Sequence, residues 1–192
     1  VGNLISSTDP LDHTTTYLYD AKNQLIGIVQ KDGAEVSYTY DANGRLIRTV
    51  DEEGYEILIS YDADGRQTEL KNARGYSTLY AYDDCGNVTV ITDAIGGRTS
   101  SVYDANHNLI SVTDAENYST RYTYDKLGRV TSVTDGNGDT TYVAYDANGN
   151  IVKLTQADGH GITYTYNARN ELVSYVDAEG YTHKFTYDGN GN

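Results

Sequence analysis

Residues 117–133 read N-Y-S-T-R-Y-T-Y-D-K-L-G-R-V-T-S-V and contain the unit from which the whole chain is built. From Tyr118 to Tyr124 the side chains alternate, with tyrosine and threonine in one row and serine, arginine and threonine in the other. This period of two, carried by β-branched and aromatic residues, indicates a β-strand. Equivalent units continue after the turn into a second short apolar run, as in Leu46–Val50 and Ile151–Thr155. Each unit therefore predicts one β-hairpin.

The Tyr-Asp pair of this unit recurs every 21 residues along the chain. It is found at Tyr19-Asp20, Tyr40-Asp41, Tyr61-Asp62, Tyr82-Asp83, Tyr103-Asp104, Tyr124-Asp125, Tyr145-Asp146 and Tyr187-Asp188, and Tyr166-Asn167 fills the remaining position. A fixed period of this length predicts a repeat architecture in which each unit is stabilised by its neighbours. We interpret residues 1–192 as a single array of nine units.

A turn follows each Tyr-Asp pair. Asp at the first turn position accepts hydrogen bonds from nearby N–H groups, and Gly at the fourth position allows a positive φ. This Gly is present at Gly44, Gly65, Gly128 and Gly149. Asn23, His107 and Asn170 replace it with residue types that tolerate positive φ, so we expect the same backbone geometry there. A second turn of the same kind, such as residues 177–180, follows ten residues after the first.

Nine hairpins give about 18 strands, and two arrangements of them remain open. In an antiparallel meander, identical residues lie about 9.6 Å apart; in a flattened parallel solenoid they stack at about 4.8 Å. The solenoid would align the Asp residues in a ladder of like charges, which favours the meander. Because open twisted sheets rarely exceed about ten strands without curling, we expect an all-β, long, curved antiparallel sheet that winds into a spiral.

One detail of the second strand does not fit an ideal strand. Leu109 and Val112 lie three residues apart, so regular alternation would send them to opposite faces. Either a β-bulge changes the direction of one of them, or both faces of the sheet are partly apolar.

Composition and charge argue against several classes of function. The chain has no Trp, no Met, one Phe and 20 Tyr, which suits a thin wall with partly wet faces better than a solid core. Its net charge of −14 argues against binding to nucleic acids or to anionic membrane surfaces. Partners should be neutral, cationic or carbohydrate. No apolar stretch is long enough to cross a bilayer, and one cysteine, Cys85, cannot form an internal disulfide.

The sequence nominates no catalytic residue, cofactor or metal ion. Its carboxylates recur in turns, where hydrogen bonding to N–H groups is their expected role, and its four histidines share no spacing. Asp62-Ala-Asp64-Gly65 resembles the start of a calcium loop, but its Gly comes at position four rather than six. We predict that the chain is not an enzyme and that the Tyr, Asp and Gly residues of the motif have a structural role.

The chain has the character of an excerpt. Gly2-Asn3-Leu4 matches Gly149-Asn150-Ile151, and the last residues stop within the same turn. We therefore expect a longer parent polypeptide with further repeats, whose flanking strands would pair with the terminal hairpins.

These residues resemble the Rhs/YD-repeat family, named for its Tyr-Asp pair and typified by the pattern G-x-x-x-x-x-Y-x-Y-D-x-x-G-R-L. The pattern is followed by residues 117–130, with Asn117 for the leading Gly and one spacer fewer, and by Tyr38-Thr-Tyr-Asp-Ala-Asn-Gly-Arg-Leu46. The resemblance covers the full chain. It departs from the family's toxins in lacking their Asp-Pro-x-Gly self-cleavage segment, because Asp9-Pro10 is followed by Leu11-Asp12.

The resemblance implies a spiralling β-sheet that encloses a large hollow shell, as in bacterial polymorphic toxins, insecticidal toxin complexes and teneurins. In the toxins the shell sequesters an effector. The expected function is thus a non-enzymatic shell wall in a secreted or surface-delivered protein, with flanking repeats and an enclosed effector as partners. The alternative is an extracellular fibre or adhesin whose tyrosine-lined faces bind carbohydrate or neighbouring chains.

Overall fold

The computed structural model describes residues 2–192, which contain 18 β-strands and no helix. The described residues up to Arg98 form a first compact unit, and Thr99–Asn192 form a second. Unit 1 contains β1 (Ser6–Thr8), β2 (Thr14–Tyr19), β3 (Leu25–Val29), β4 (Glu35–Tyr40), β5 (Leu46–Val50), β6 (Glu56–Tyr61), β7 (Gln67–Lys71), β8 (Ser77–Tyr82) and β9 (Val88–Thr92). β10 (Arg98–Tyr103) begins at the last residue of unit 1. Unit 2 continues with β11 (Leu109–Thr113), β12 (Ser119–Tyr124), β13 (Val130–Thr134), β14 (Thr140–Tyr145), β15 (Ile151–Thr155), β16 (Gly161–Tyr166), β17 (Leu172–Val176) and β18 (Thr182–Lys184).

Within each unit, every strand pairs with the next strand in the chain, and every such pair is antiparallel. Unit 1 runs in this way from β1 to β9, and unit 2 from β10 to β18. The tandem hairpins predicted from the 21-residue period are confirmed, and the parallel solenoid is wrong. An antiparallel meander separates equivalent Asp residues by two strands, which removes the like-charge ladder that a solenoid would need.

The turns have the backbone geometry that the sequence predicts. In the turn after β4, the N–H of Asp41 donates to the C=O of Arg45 at 2.9 Å, and that of Gly44 donates to the C=O of Asp41 at 3.0 Å. Gly44 has a φ of 85°. The non-glycine residues at this position have φ values of 63° at Asn23, 65° at His107 and 61° at Asn170, which confirms the expectation of positive φ.

A β-bulge resolves the position of Leu109 and Val112. Ser101 pairs with Val112 and Tyr103 pairs with Leu109, so four residues on β11 lie opposite three residues on β10. Because Ser101 and Tyr103 point to one face of their strand, Leu109 and Val112 lie on that face as well. The same shift of register occurs between the first and second strands of every described hairpin. The bulge explanation is confirmed for Leu109 and Val112, although Leu18, Leu58, Leu79 and Val102 place apolar side chains on the opposite face as well.

The two faces of each unit differ in chemistry. The tyrosine face carries the Tyr-Asp tyrosines and their apolar neighbours, with Tyr122 opposite Val133 and Tyr124 opposite Val130 in unit 2. The opposite face carries serine and threonine together with charged and apolar residues, such as Arg48 opposite Leu58 in unit 1. We call it the hydroxyl face because its hydroxyls pair, and the Thr123 hydroxyl lies 2.8 Å from that of Thr131. Other hydroxyl pairs on this face are Thr123–Ser132, Thr113–Ser119 and Thr134–Thr140.

The structure has no conventional core. Among residues 2–192 no hydrophobic residue is fully buried, and most strand residues are half-buried. Ser132, 8% exposed, is the most buried polar residue. This agrees with the prediction of a thin wall with partly wet faces, and it means that contacts between neighbouring strands hold the fold together.

Gly128→Val tests the turn geometry. Gly128 has a φ of 76°, which a β-branched residue adopts only with strain, so we expect the free energy of unfolding in guanidinium to fall by about 1 to 3 kcal/mol. Gly128→Asn is the matched control, because Asn23 and Asn170 already occupy this position in the chain. An equal loss in the two variants would show that backbone strain is not the cause.

Candidate functional site

The Asp of each Tyr-Asp pair closes its own turn. One carboxylate oxygen of Asp41, Oδ1, accepts hydrogen bonds from the N–H groups of Asn43 at 2.9 Å and Arg45 at 3.0 Å. The same pair of bonds, between 2.8 and 3.1 Å, forms at Asp20, Asp62, Asp83, Asp104, Asp125, Asp146, Asn167 and Asp188. These bonds fix the turn that sets the register of the hairpin.

The second carboxylate oxygen, Oδ2, bonds to the side chain four residues later in the turns that begin with the Asp of a Tyr-Asp pair, except in the turn at Asp20. Nε of Arg45 donates to Asp41 at 2.6 Å, and Nδ2 of Asn150 donates to Asp146 at 2.9 Å. The pKa of Asp41 is lowered by the backbone N–H and then the side chain of Arg45, which outweigh the effect of desolvation. The carboxylates with such a partner are thus engaged within their turns, and at Asp41 these hydrogen bonds favour the charged form.

One repeat reverses the donor and the acceptor of this pair. Asn167 stands where the other units have Asp, and Glu171 stands where they have a donor such as Arg or Asn. Here Nδ2 of Asn167 donates to Oε2 of Glu171 at 2.6 Å, while Oδ1 of Asn167 still accepts from the backbone of the turn. The hydrogen bond is retained, which shows why Asn can replace Asp in this unit.

The Tyr of each pair joins its hairpin to the preceding hairpin. The hydroxyl of Tyr124 donates to the backbone C=O of Leu109, 15 residues earlier, at 2.8 Å. Equivalent bonds of 2.7 to 3.1 Å are made by Tyr19, Tyr40, Tyr61, Tyr82, Tyr145 and Tyr187. Tyr103 and Tyr166 are half-buried at the ends of β10 and β16. Burial raises the pKa of Tyr124, which favours the protonated hydroxyl that donates.

Arginine connects one 21-residue repeat with the next. Arg45 lies over the ring of Tyr61, with Cζ 4.8 Å from the ring centre, and its Nη1 donates to the C=O of Asp62 at 3.2 Å. Arg66 lies over Tyr82 in the same way at 5.0 Å, and Arg129 lies over Tyr145 at 4.5 Å. Each guanidinium therefore contacts a carboxylate in its own turn, and it also contacts a ring and a carbonyl in the next repeat. We call this set of three contacts the arginine site.

The connecting role of these arginines is not evident from the sequence. The signal was present in the Gly-Arg of the family pattern, as in Gly44-Arg45 and Gly128-Arg129. A single sequence shows that Arg follows the turn, but the tertiary structure shows that the side chain crosses to the next unit.

No metal centre is formed by the described part of the chain, residues 2–192, where no three His, Cys, Asp or Glu side chains come together. The carboxylates of Asp62 and Asp64, which resembled the start of a calcium loop, both pair with Arg66. Asp9 accepts from the N–H groups of Leu11 and His13, as Asp51, Asp93, Asp114 and Asp135 do in other second turns. A search of the described residues found no helix able to cross a membrane.

Comparisons with known proteins identify the repeat. The family model described as RHS Repeat matches residues 1–35, 19–56, 61–98, 103–140 and 145–182. No curated protein matches the chain significantly.

Several solved structures are similar to this chain. A crystal structure of TcdB2-TccC3-Cdc42 has a TM-score of 0.61 at 17% identity, over 93% of this chain and 13% of that chain. The crystal structure of TcdB2-TccC3 without its hypervariable C-terminal region has a TM-score of 0.64 at 17% identity, over 97% and 12%. The Tc holotoxin pore of Photorhabdus luminescens with a mutation in TccC3 has a TM-score of 0.60 at 17% identity, over 92% and 12%. This chain spans about an eighth of their length, and at this identity the similarity shows the fold.

Tyr124→Phe tests the bond between hairpins. Removing the hydroxyl leaves the carbonyl of Leu109 without this donor, so we expect the free energy of unfolding to fall by about 1 kcal/mol. Tyr142→Phe is the control, because Tyr142 is 56% exposed and no hydrogen bond of its hydroxyl is described. If both variants unfold at the same denaturant concentration, the tyrosine bond contributes nothing to stability.

A double-mutant cycle tests the reversed pair. Asn167→Asp alone places a carboxylate against Glu171, and we expect a loss of about 1 kcal/mol at pH 7. Asn167→Asp combined with Glu171→Asn recreates the pair seen at Asp146 and Asn150, so the double variant should regain that stability. Chemical denaturation of the four proteins in the cycle gives the coupling energy, and additive effects would contradict the assignment.

Proposed function

Because this chain belongs to the RHS repeat family, we propose that it forms part of the wall of a shell that encloses or presents an effector. The observation that carries the proposal is that side chains of the repeat motif bond one hairpin to the next. The tyrosine hydroxyls bond across 15 residues and the arginines across 17 residues, so each unit is tied to its neighbour along the array.

A wall of this kind needs no active site. The motif carboxylates fix turns, the motif tyrosines bridge hairpins, and paired strands leave few backbone groups to react or to bind. We propose that the Tyr, Asp and Gly residues of the motif are structural and that the chain has no enzymatic activity of its own. The chemistry of the whole protein would then reside in its effector.

The proposed mechanism is containment. A continuous sheet whose backbone groups are hydrogen-bonded separates what it surrounds from solvent and from proteases. We propose that residues 1–192 are one array of nine units within a longer polypeptide, that its curvature closes a shell together with flanking repeats, and that the parent protein is secreted or delivered to a cell surface. The family resemblance supports these points.

A fibre or adhesin is the second candidate. The observation in its favour is the set of exposed tyrosines that follow the second turns, Tyr55, Tyr76, Tyr118 and Tyr181, which are 52% to 70% exposed. Exposed tyrosines offer flat surfaces to carbohydrate or to neighbouring chains.

Cryo-electron microscopy of the intact parent protein distinguishes the two candidates. We expect closed hollow particles with additional density inside. Extended filaments of stacked hairpins would overturn containment and favour the fibre. Limited proteolysis of the same particles is an independent check, because an enclosed effector should be cleaved only after the shell is opened.

A further inference from the structure

The three arginine sites show that the groups around these turns bind a guanidinium. At Arg45, the guanidinium contacts the Asp41 carboxylate in its own turn, the Tyr61 ring of the next unit and the C=O of Asp62. The C=O of Asp62 accepts at the same time from the N–H of Gly65 at 3.1 Å, so both of its lone pairs are used. The site is therefore built from parts that recur every 21 residues.

Several repeats have no arginine at this position, and two of them have an open groove there. Gln24 and Glu171 stand at the position of Arg45, and an open groove lies beside each of them. The first groove, about 380 Å³, is lined by Asp20, Lys22, Gln24, Ile26 and residues 38–42. The second, about 580 Å³, is lined by the equivalent residues seven periods later, from Asn167 to Gly189. The two grooves therefore occupy equivalent positions in two different repeats.

The groove at Asp20 contains the same three groups that contact arginine in the filled sites: a carboxylate, a backbone carbonyl and a tyrosine ring. Oδ1 of Asp20 is bound by its turn, but the described residues provide no hydrogen-bond partner for Oδ2, the oxygen that binds arginine in the filled units. The C=O of Asp41 accepts from Gly44 at 3.0 Å and has a second lone pair available. The ring of Tyr40 lies in the groove wall, and no cation is described over it.

The two polar side chains nearest the groove replace the arginine only in part, because Nε2 of Gln24 lies against Gly44 as Nη1 of Arg45 lies against Gly65. Nε2 of Gln24 donates to the C=O of Gly44 at 3.2 Å, and Nζ of Lys22 donates to the C=O of Ala42 at 3.0 Å. Both bonds are directed at the following turn, and neither side chain bonds to Oδ2 of Asp20. The groove at Glu171 is less complete, because Asn167 replaces the Asp and already donates to Glu171.

We propose that the Asp20 groove binds the guanidinium group of an arginine side chain from a partner polypeptide. Guanidinium fits because it is planar, stacks on an aromatic ring and offers several N–H donors at fixed angles, whereas the lysine ammonium is a compact and strongly hydrated charge. The net charge of −14 attracts such a cationic segment. The proposal holds for a shell wall and for a fibre alike.

Titration of the isotopically labelled chain with N-acetyl-arginine amide, followed by NMR, tests the proposal. We expect saturable shift changes centred on Asp20, Gln24 and Tyr40, and a Kd at least about tenfold lower than that of the neutral analogue N-acetyl-citrulline amide. Shift changes that do not saturate, that lie elsewhere, or that are equal for the two probes would overturn it.

Two variants of one residue provide the matched controls. Gln24→Arg should fill the groove from within, as Arg45 does in the next unit, and should abolish the shift changes. Gln24→Ala should leave the carboxylate, ring and carbonyl in place and retain binding of the probe. Binding that survives Gln24→Arg unchanged, or that is lost in a folded Gln24→Ala protein, would show that the probe does not occupy the proposed site.

Discussion

The carboxylate that closes each turn is the constraint on which the rest of the structure depends. By accepting two backbone N–H groups, as Asp41 does from Asn43 and Arg45, it fixes the tight turn and therefore the register of the two strands. Register decides which side chains share a face, and the bulge at the end of each first strand brings residues such as Leu109 and Val112 together. Without the turn, neither the tyrosine face nor the contacts between units would form.

Stability in this architecture comes from repetition instead of a central core. Each hairpin alone would be marginal, because it buries little surface and its side chains remain half exposed. Tyrosine connects a hairpin to the preceding one by reaching back to a carbonyl, as Tyr124 does to Leu109. In three repeats an arginine also reaches forward to a ring, as Arg129 does to Tyr145. Cooperation along the array follows from these two directions of contact.

The strands and turns can be predicted from the sequence because the residues that form them lie close together in the chain and recur in every repeat. The period of 21, the alternation within strands and the Asp-x-x-Gly turns together predicted 18 strands in hairpins, and residue type alone predicted positive φ at Asn23, His107 and Asn170. The bulge was left open, because Leu109 and Val112 fit two explanations that differ only in pairing register. The role of Arg45 was missed, since its contacts lie 16 and 17 residues away in the next unit.

The sequence by itself determined the repeat, the hairpin and the turn, since each depends on residues within a single unit. Only the tertiary structure decided how units are joined and where that junction is left open. Gln24 and Arg45 occupy equivalent positions in the sequence, yet one donates to the next turn and the other stacks on the next tyrosine. The physical reason is that a guanidinium and a carboxamide differ in length and charge, and the difference becomes visible only when the neighbouring unit is in place.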